Sequence, residues 1–437
     1  MMVKTGGCRG VEADAARGAS PRFFVTGALL CAVISVNSHA ARGEPQIALP
    51  SEGEPPPAAT GASPAAAPAP AGTTTIGGYG QLDLRFTRVG FGNDFDGRAN
   101  VRRVVLLVGH DWTDAIRSYV ELEWENAVTC AACQGVAEVE QAYVDAAILG
   151  PNLKVRAGLL LVPMGITNRL HEPPVFFSVD RPSFDQSIIP STWRELGVGL
   201  VGRFHERWHA ELYLMTGLDP THLGPDGIVG GRSSGVLTPV RSGALVGRVE
   251  LEPWLGALAG LSGYASDMGP NGAFFDASGG RVWPQLPLYG WAFDGRVRHH
   301  GFELRVVAAQ FFMPRSGALM AARRADGSLY YPDPGTTGAV PNRTQGAYVE
   351  LAYDLLRWPF PGTTAQLLAF ARAEHYDTQA AVPFPFRPQG QFDVNEFTAG
   401  LSFLPIRQVV AKADVQLRDR RYGLDELQID FGIGWLF

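Results

Sequence analysis

The chain has 437 residues, of which 46% are hydrophobic and 18% charged, with 37 Lys+Arg against 43 Asp+Glu for a formal net charge of −6. An acidic balance argues against nucleic acid as a partner, which favours a basic surface. A mean hydropathy of +0.00 fits a soluble enzyme, and equally a wall whose lipid-facing and water-facing residues alternate, so the pattern has to decide.

Residues 1–40 read as a cleaved signal peptide. Lys4, Arg9, Arg17 and Arg22 form a basic leader, Phe23 to Val36 an apolar run, and Ser38-His39-Ala40 a small-x-small cleavage site. The run is shorter than the roughly 20 apolar residues of a membrane-spanning helix. Leu30 ahead of Cys31 stands where lipidation requires a small residue. Losing four basic and two acidic residues with the leader, the remainder carries a net charge of −8. Cys8 and Cys31 leave too, so thiols are scarce, as suits an oxidising compartment. Residues 41–75, with PPPAATGASPAAAPAPAGTTT at their centre, read as a Pro/Ala-rich disordered linker with no apolar period.

From Ile76 to Phe437 polar and apolar residues alternate in runs of strand length. In the last run Leu427, Ile429, Phe431, Ile433, Trp435 and Phe437 share one face, while Gln428, Asp430, Gly432 and Gly434 share the other. Side chains of a strand point alternately to opposite sides, so this strand has one greasy and one wet face. Val409 to Arg418 and Arg117 to Glu125 repeat the pattern. Sixteen strands are expected to begin near residues 76, 100, 115, 137, 152, 194, 207, 241, 256, 286, 300, 343, 363, 393, 407 and 424. Short connections alternate with mostly longer ones, the asymmetry of a transmembrane barrel with short periplasmic turns. The expectation is therefore all-β: a transmembrane antiparallel β-barrel over 76–437, in the bacterial outer membrane and in contact with its lipid. A sixteen-strand barrel is wide enough to leave an aqueous channel.

The third long connection, Pro163 to Trp193, carries Phe176, Phe177, Phe184, Ile188 and Ile189, which favour burial. Long irregular segments are usually functional, and folding back into the lumen would bury these side chains. Arg169, His171, Glu172, Asp180, Arg181 and Asp185 are then the candidate constriction residues.

The stretch RAGLLLVPMGITNRLHEPPVFFSVDRPSFDQSIIPSTWRELGVGLVG, from Arg156 to Gly202, resembles the phosphate-selective porin O and P family. VRRVVLLVGHDWTDAIRSYVELEWE and EVEQAYVDA resemble it as well, and together these segments cover about a third of the chain. The resemblance implies a sixteen-stranded homotrimeric porin that passes small hydrophilic solutes or ions. Phosphate preference carries over less well, since the net charge is negative and only Lys4, Lys154 and Lys412 occur.

Selectivity in a pore comes from its radius, its donors and its charge. The wet faces carry Arg85, Arg117, Arg156, Arg203, Arg248, Arg296, Arg305, Arg372 and Arg418, a column of planar donors suited to anions. They also carry Asp83, Glu121, Glu123, Glu125, Glu250, Glu303 and Glu374, so cross-strand ion pairing stays open for each arginine. Cys130 and Cys133 read as a small local disulfide, with no metal site and no cofactor expected. The alternatives are a barrel enzyme and a non-conducting anchoring barrel. An enzyme needs a nucleophile beside a base; no G-x-S-x-G and no H-E-x-x-H motif is read from the chain, and catalysis is not expected.

Overall fold

The computed structural model describes residues 72–90, 92, 94–129, 135–333, 335 and 338–437. The signal-peptide reading and nearly all of the linker lie outside them. Eighteen strands follow in chain order: β1 (Thr73–Val89), β2 (Asp96–Asp111), β3 (Ile116–Glu125), β4 (Val136–Ala147), β5 (Leu153–Leu161), β6 (Arg194–Phe204), β7 (Trp208–Thr216), β8 (Gly243–Leu251), β9 (Ala257–Asp267), β10 (Phe274–Phe275), β11 (Arg281–Val282), β12 (Pro287–His299), β13 (Phe302–Phe312), β14 (Arg343–Asp354), β15 (Gln366–Ala381), β16 (Asp393–Ile406), β17 (Val409–Arg420) and β18 (Glu426–Leu436). β10 and β11 form a small hairpin of their own, and the other sixteen close a barrel. Each expected strand start falls within four residues of an observed one. β1 begins at Thr73, so the barrel takes in the last residues assigned to the linker.

All neighbours in the barrel are antiparallel, and the seam is the pairing of the first strand with the last, from Tyr79↔Leu436 to Val89↔Glu426. A closed ladder leaves no backbone edge to satisfy, which is the condition for strands to cross lipid. Among the described residues no helix is long and apolar enough to cross a membrane.

Burial is inverted relative to a water-soluble protein. On β18 the polar-face residues Gln428, Asp430, Gly432 and Gly434 are buried, whereas Phe431 and Ile433 are 46% and 49% exposed. Arg248 and Arg372 rank among the largest fully buried side chains. Soluble proteins bury charges almost never unless paired. In a transmembrane barrel the exposed apolar band meets acyl chains, where a basic side chain at the midplane would cost about 2–4 kcal/mol.

The apolar core lies inside the barrel. Trp193 packs against Tyr264 of β9 with ring centroids 5.1 Å apart, and Phe184 meets Tyr348 of β14 edge-on at 5.6 Å. Such pairs add about 0.5–1.5 kcal/mol each beyond the area they bury.

Candidate functional site

The segment between β5 and β6 runs from 162 to 193 and contains two single-turn helices, α1 (Ile166–Arg169) and α2 (Phe184–Ser187). Its two ends are clasped by Asn168, whose side chain donates to Val162 O at 2.6 Å and accepts from Trp193 N at 2.8 Å.

Between the clasped ends, the backbone of Val175–Val179 is satisfied by wall side chains instead of by a ladder. Arg305 of β13 donates to Val175 O at 2.7 Å. Lys412 of β17 donates to Phe176 O at 2.7 Å and to Ser178 O at 2.8 Å. Ser402 of β16 donates to Phe177 O, and Gln81 of β1 to Val179 O at 2.7 Å. Val179 N donates to Asp414 of β17 at 2.6 Å. Five consecutive carbonyls thus each find a donor, which meets the requirement that buried backbone polar groups be paired. Glycine makes the approach possible: a Cβ on Gly434 would lie 2.4 Å from Pro173 Cβ, and one on Gly432 2.9 Å from Val179 Cγ1.

Across the lumen the contacts are ionic. Arg169 pairs with Glu250 of β8 and, at 3.4 Å, with Glu211 of β7. His171 Nε2 lies 3.4 Å from Glu121 of β3 and 3.5 Å from Glu140 of β4. In the ring of sixteen, β7 stands opposite β17 and β3 opposite β13. A segment bonded to opposite strands through their buried polar faces crosses the inside of the barrel.

Two β-bulges add charge to the lumen. The register of β1 with β2 slips between Gln81↔Arg103 and Leu82↔Val101, leaving Arg102 as the extra residue. That of β3 with β4 slips between Glu121↔Gln141 and Leu122↔Val139, leaving Glu140. A bulge re-aims side chains beside sites. Arg102 reaches Asp180 at 3.7 Å, and Glu140 is fully buried beside His171.

The remaining constriction residues are placed as follows. Asp180 pairs with Arg85; burial opposes its charge, but Arg102 and Arg85 outweigh that and hold its carboxyl below the usual range. Arg181 is buried and donates to His171 O at 3.1 Å. Burial disfavours charge on His171, yet Glu140 and Glu121 push its pKa up to about 10. Asp185, on α2 near the Thr167–Tyr348 hydroxyl pair, has its pKa pushed up to about 8 by burial. Glu172 is half-buried.

Seven of the nine lumen arginines face carboxylates. Arg156 is bidentate to Asp145, and Arg248 to Asp294 with Glu250 alongside. Arg305 joins Glu303 and Glu350, Arg372 joins Glu350 and Glu374, and Arg418 joins Glu396 and Glu426. Arg85 pairs with Asp180 and Asp430, and Arg117 with Asp111. Arg203 and Arg296 have no carboxylate within ion-pair distance among the described residues, and both sit near the end that carries the short turns. Of the acidic pair, Glu123 meets Arg103 at 3.3 Å, while Glu121 faces His171.

Beside the infolded segment lies a cavity of about 330 Å³. It is lined by Arg102, Arg103, Arg181, Arg194 and Arg232 and by Glu123, Glu125, Glu138 and Asp180. Arg194 pairs with Glu138 at 2.7 Å. Arg181 and Arg232 donate to backbone carbonyls, with no carboxylate partner among the described residues. Alternation alone misses Arg102 because of the bulge, and it misses Arg194 and Arg232 because they lie at and beyond strand ends.

Cys130 and Cys133 lie outside the described residues. The fold also brings Glu121, Glu140 and His171 together, with donor atoms that all lie within 4.8 Å of one another. Two strings that match catalytic patterns also occur, against the reading above. His205-Glu206-Arg207-Trp208-His209 has the H-E-x-x-H letters, but it spans the β6–β7 turn and the start of β7, not the helix that would put both imidazoles on one face. Gly231-Arg232-Ser233-Ser234-Gly235 has the G-x-S-x-G letters in the β7–β8 loop, without the strand–turn–helix setting of a nucleophile elbow.

No family model matches the chain. Its fold is similar to the outer membrane channel DcaP of Acinetobacter baumannii (TM-score 0.51, 11% identity, 84% of this chain and 98% of that one). It is equally similar to an anion-selective porin from Comamonas acidovorans (TM-score 0.50, 12% identity, 84% and 99%). These likenesses show the sixteen-strand fold and, with the lipid-facing band, a bacterial outer-membrane barrel. In sequence, 372 residues are 30% identical to an uncharacterized protein of Aquifex aeolicus (strain VF5), covering 83% of this chain and 80% of that protein. The chain therefore belongs to the same family as that Aquifex aeolicus protein.

Proposed function

We propose that the chain is a porin of the phosphate-selective O and P type, passing small hydrophilic solutes with a preference for anions. The observation that carries this reading is the cavity beside the infolded segment. Five guanidiniums there face four carboxylates, a surplus of one positive charge, and Arg181 and Arg232 are bonded to backbone carbonyls instead of a carboxylate. In a narrow, low-dielectric lumen such fixed charge raises the local concentration of counter-ions. The tightly paired arginines of the wall contribute less, since each shares its field with a neighbouring carboxylate. The assembly in this reading is a homotrimer in outer-membrane lipid.

A second reading, a barrel without flux, draws on the apolar cluster in which Ile188, Ile189 and Trp193 merge with Leu218, Met268, Leu319 and Val340 of other long loops. Single-channel recording in planar bilayers separates the two. Stepwise conductance with an anion-selective reversal potential, reduced by phosphate and shifted toward cations in Arg232→Ala, is the expected result. A folded, heat-modifiable barrel that conducts nothing supports the closed reading, and conductance with cation preference removes the anion claim.

A further inference from the structure

The infolded segment meets the wall at a polar cluster that the pore reading does not use. Tyr79 of β1, Glu121 of β3, bulged Glu140 of β4 and His171 of the loop converge there, and all four are buried. Tyr79 Oη is 3.2 Å from Glu121 Oε1 and 3.4 Å from Glu140 Oε2. His171 Nε2 is 3.4 Å and 3.5 Å from the same two oxygens.

These separations are long for what the groups could form alone. An imidazolium against a carboxylate closes to about 2.7–2.9 Å when nothing stands between them. Donors arranged tetrahedrally around an ion with bonds of about 2.0–2.1 Å, in contrast, lie about 3.3–3.4 Å apart, the edge of the tetrahedron. Glu140 Oε1 and His171 Nδ1, the other polar atoms of these two groups, are buried with no hydrogen-bond partner among the described residues. The bulge matters too, because regular pairing of β4 would not turn both Glu140 and Gln141 to the same side.

We propose that Glu121, Glu140 and His171 bind a zinc ion, with the Tyr79 hydroxyl or a water as fourth donor. Two carboxylates and a neutral imidazole cancel the charge of a divalent cation, and the mixed nitrogen and oxygen set is one zinc accepts. Calcium would require six to eight oxygen donors, more than this cluster offers. Among divalent first-row ions such a set also holds zinc more tightly than manganese or iron. The ion is structural: it joins β3, β4 and the loop at one point and fixes where the segment enters the lumen. This proposal is independent of conduction.

The test uses the folded, untagged protein in detergent, stripped with EDTA and then dialysed against zinc, with bound metal measured by mass spectrometry. The expected result is one zinc per chain. Substituting cobalt should give the strong visible absorption of a tetrahedral ion. His171→Ala and the near-isosteric Glu140→Gln, each checked for the heat-modifiable barrel, should weaken binding by more than the roughly 10–100-fold typical of a lost outer-shell partner. His205→Ala, in the H-E-x-x-H turn, should leave it unchanged. Sub-stoichiometric binding by the wild-type barrel overturns the proposal. So does binding that survives in folded Glu140→Gln, or that is lost with His205→Ala instead.

Discussion

The infolded segment is held by two unlike surfaces. On the side of β13 to β17 and β1, wall side chains grip its backbone; on the side of β3, β4, β7 and β8, its own side chains reach out to wall carboxylates. The first grip acts mainly on carbonyls that every residue has, supplemented by the side chains of Phe176, Phe177 and Ser178 against Lys412, Arg305 and Arg372. The second depends on Arg169 and His171 by name. Loop substitutions can therefore loosen one wall while the other holds, and wall substitutions do the reverse.

The largest break in that arrangement is expected from Arg372→Met. Arg372 ties Glu350 and Glu374 together and donates to Ser178 Oγ at 2.7 Å. Its loss leaves buried Glu374 without its cation and Glu350 with Arg305 alone, a cost of about 3–5 kcal/mol. The urea concentration that abolishes the heat-modifiable band should fall, and an unchanged midpoint would refute the backbone-gripping wall as a source of stability. Arg169→Gln attacks the other side and should cost about 1.5–3 kcal/mol, the range for hydrogen bonds to charged groups. Here the loop should become cleavable by added protease while the barrel keeps its migration. If cleavage and unfolding move together, the ionic side is not separable from the wall.

Gly434→Ala sharpens the comparison sterically. Its new methyl meets Pro173 at 2.4 Å, so the segment must shift, at about 1–3 kcal/mol for overpacking. Protease access to the segment should rise without a change in the ion pairs across the lumen. The last test concerns pH. Asp185 has its folded pKa pushed up to about 8 by burial, against 3.8 for an ordinary aspartate. The folded state therefore holds the extra proton, and its contribution is full below pH 4, fades as pH rises, and is gone above about pH 8. Wild-type loop protection should weaken over that window, and Asp185→Asn should flatten the curve. Superimposable curves would show that Asp185 is ionised throughout.

Much of this was open to reading from residues alone, for a definite reason. Period-two alternation states which side of a strand meets lipid, and in Leu427 to Phe437 it continues without interruption to the last residue. The aromatic and aliphatic content of the third loop likewise announced that it needed cover. Hidden from the sequence was everything that breaks the period or joins distant strands. Arg102 and Glu140 sit on bulges, where an extra residue reverses the phase, and no local signal marks either one. The pairing of Arg372 with Glu350, or of Arg169 with Glu250, depends on register and closure. The sequence therefore leaves ion pairing open for each arginine, where the fold pairs most of them with named carboxylates. The H-E-x-x-H letters at His205 make the converse point, since a motif means little until its secondary structure is known.

The five captured carbonyls also set an order of assembly. Their donors come from β1, β13, β16 and β17, and three of those strands follow the loop in the chain by more than a hundred residues. The segment is synthesised early but cannot be seated until the last quarter of the polypeptide has arrived and the seam has shut. Until then it must stay clear of the growing sheet with its phenylalanines uncovered. Docking of the loop is thus the closing event of folding, and an assembly intermediate should be recognisable by a complete early hairpin series and a loop still open to protease.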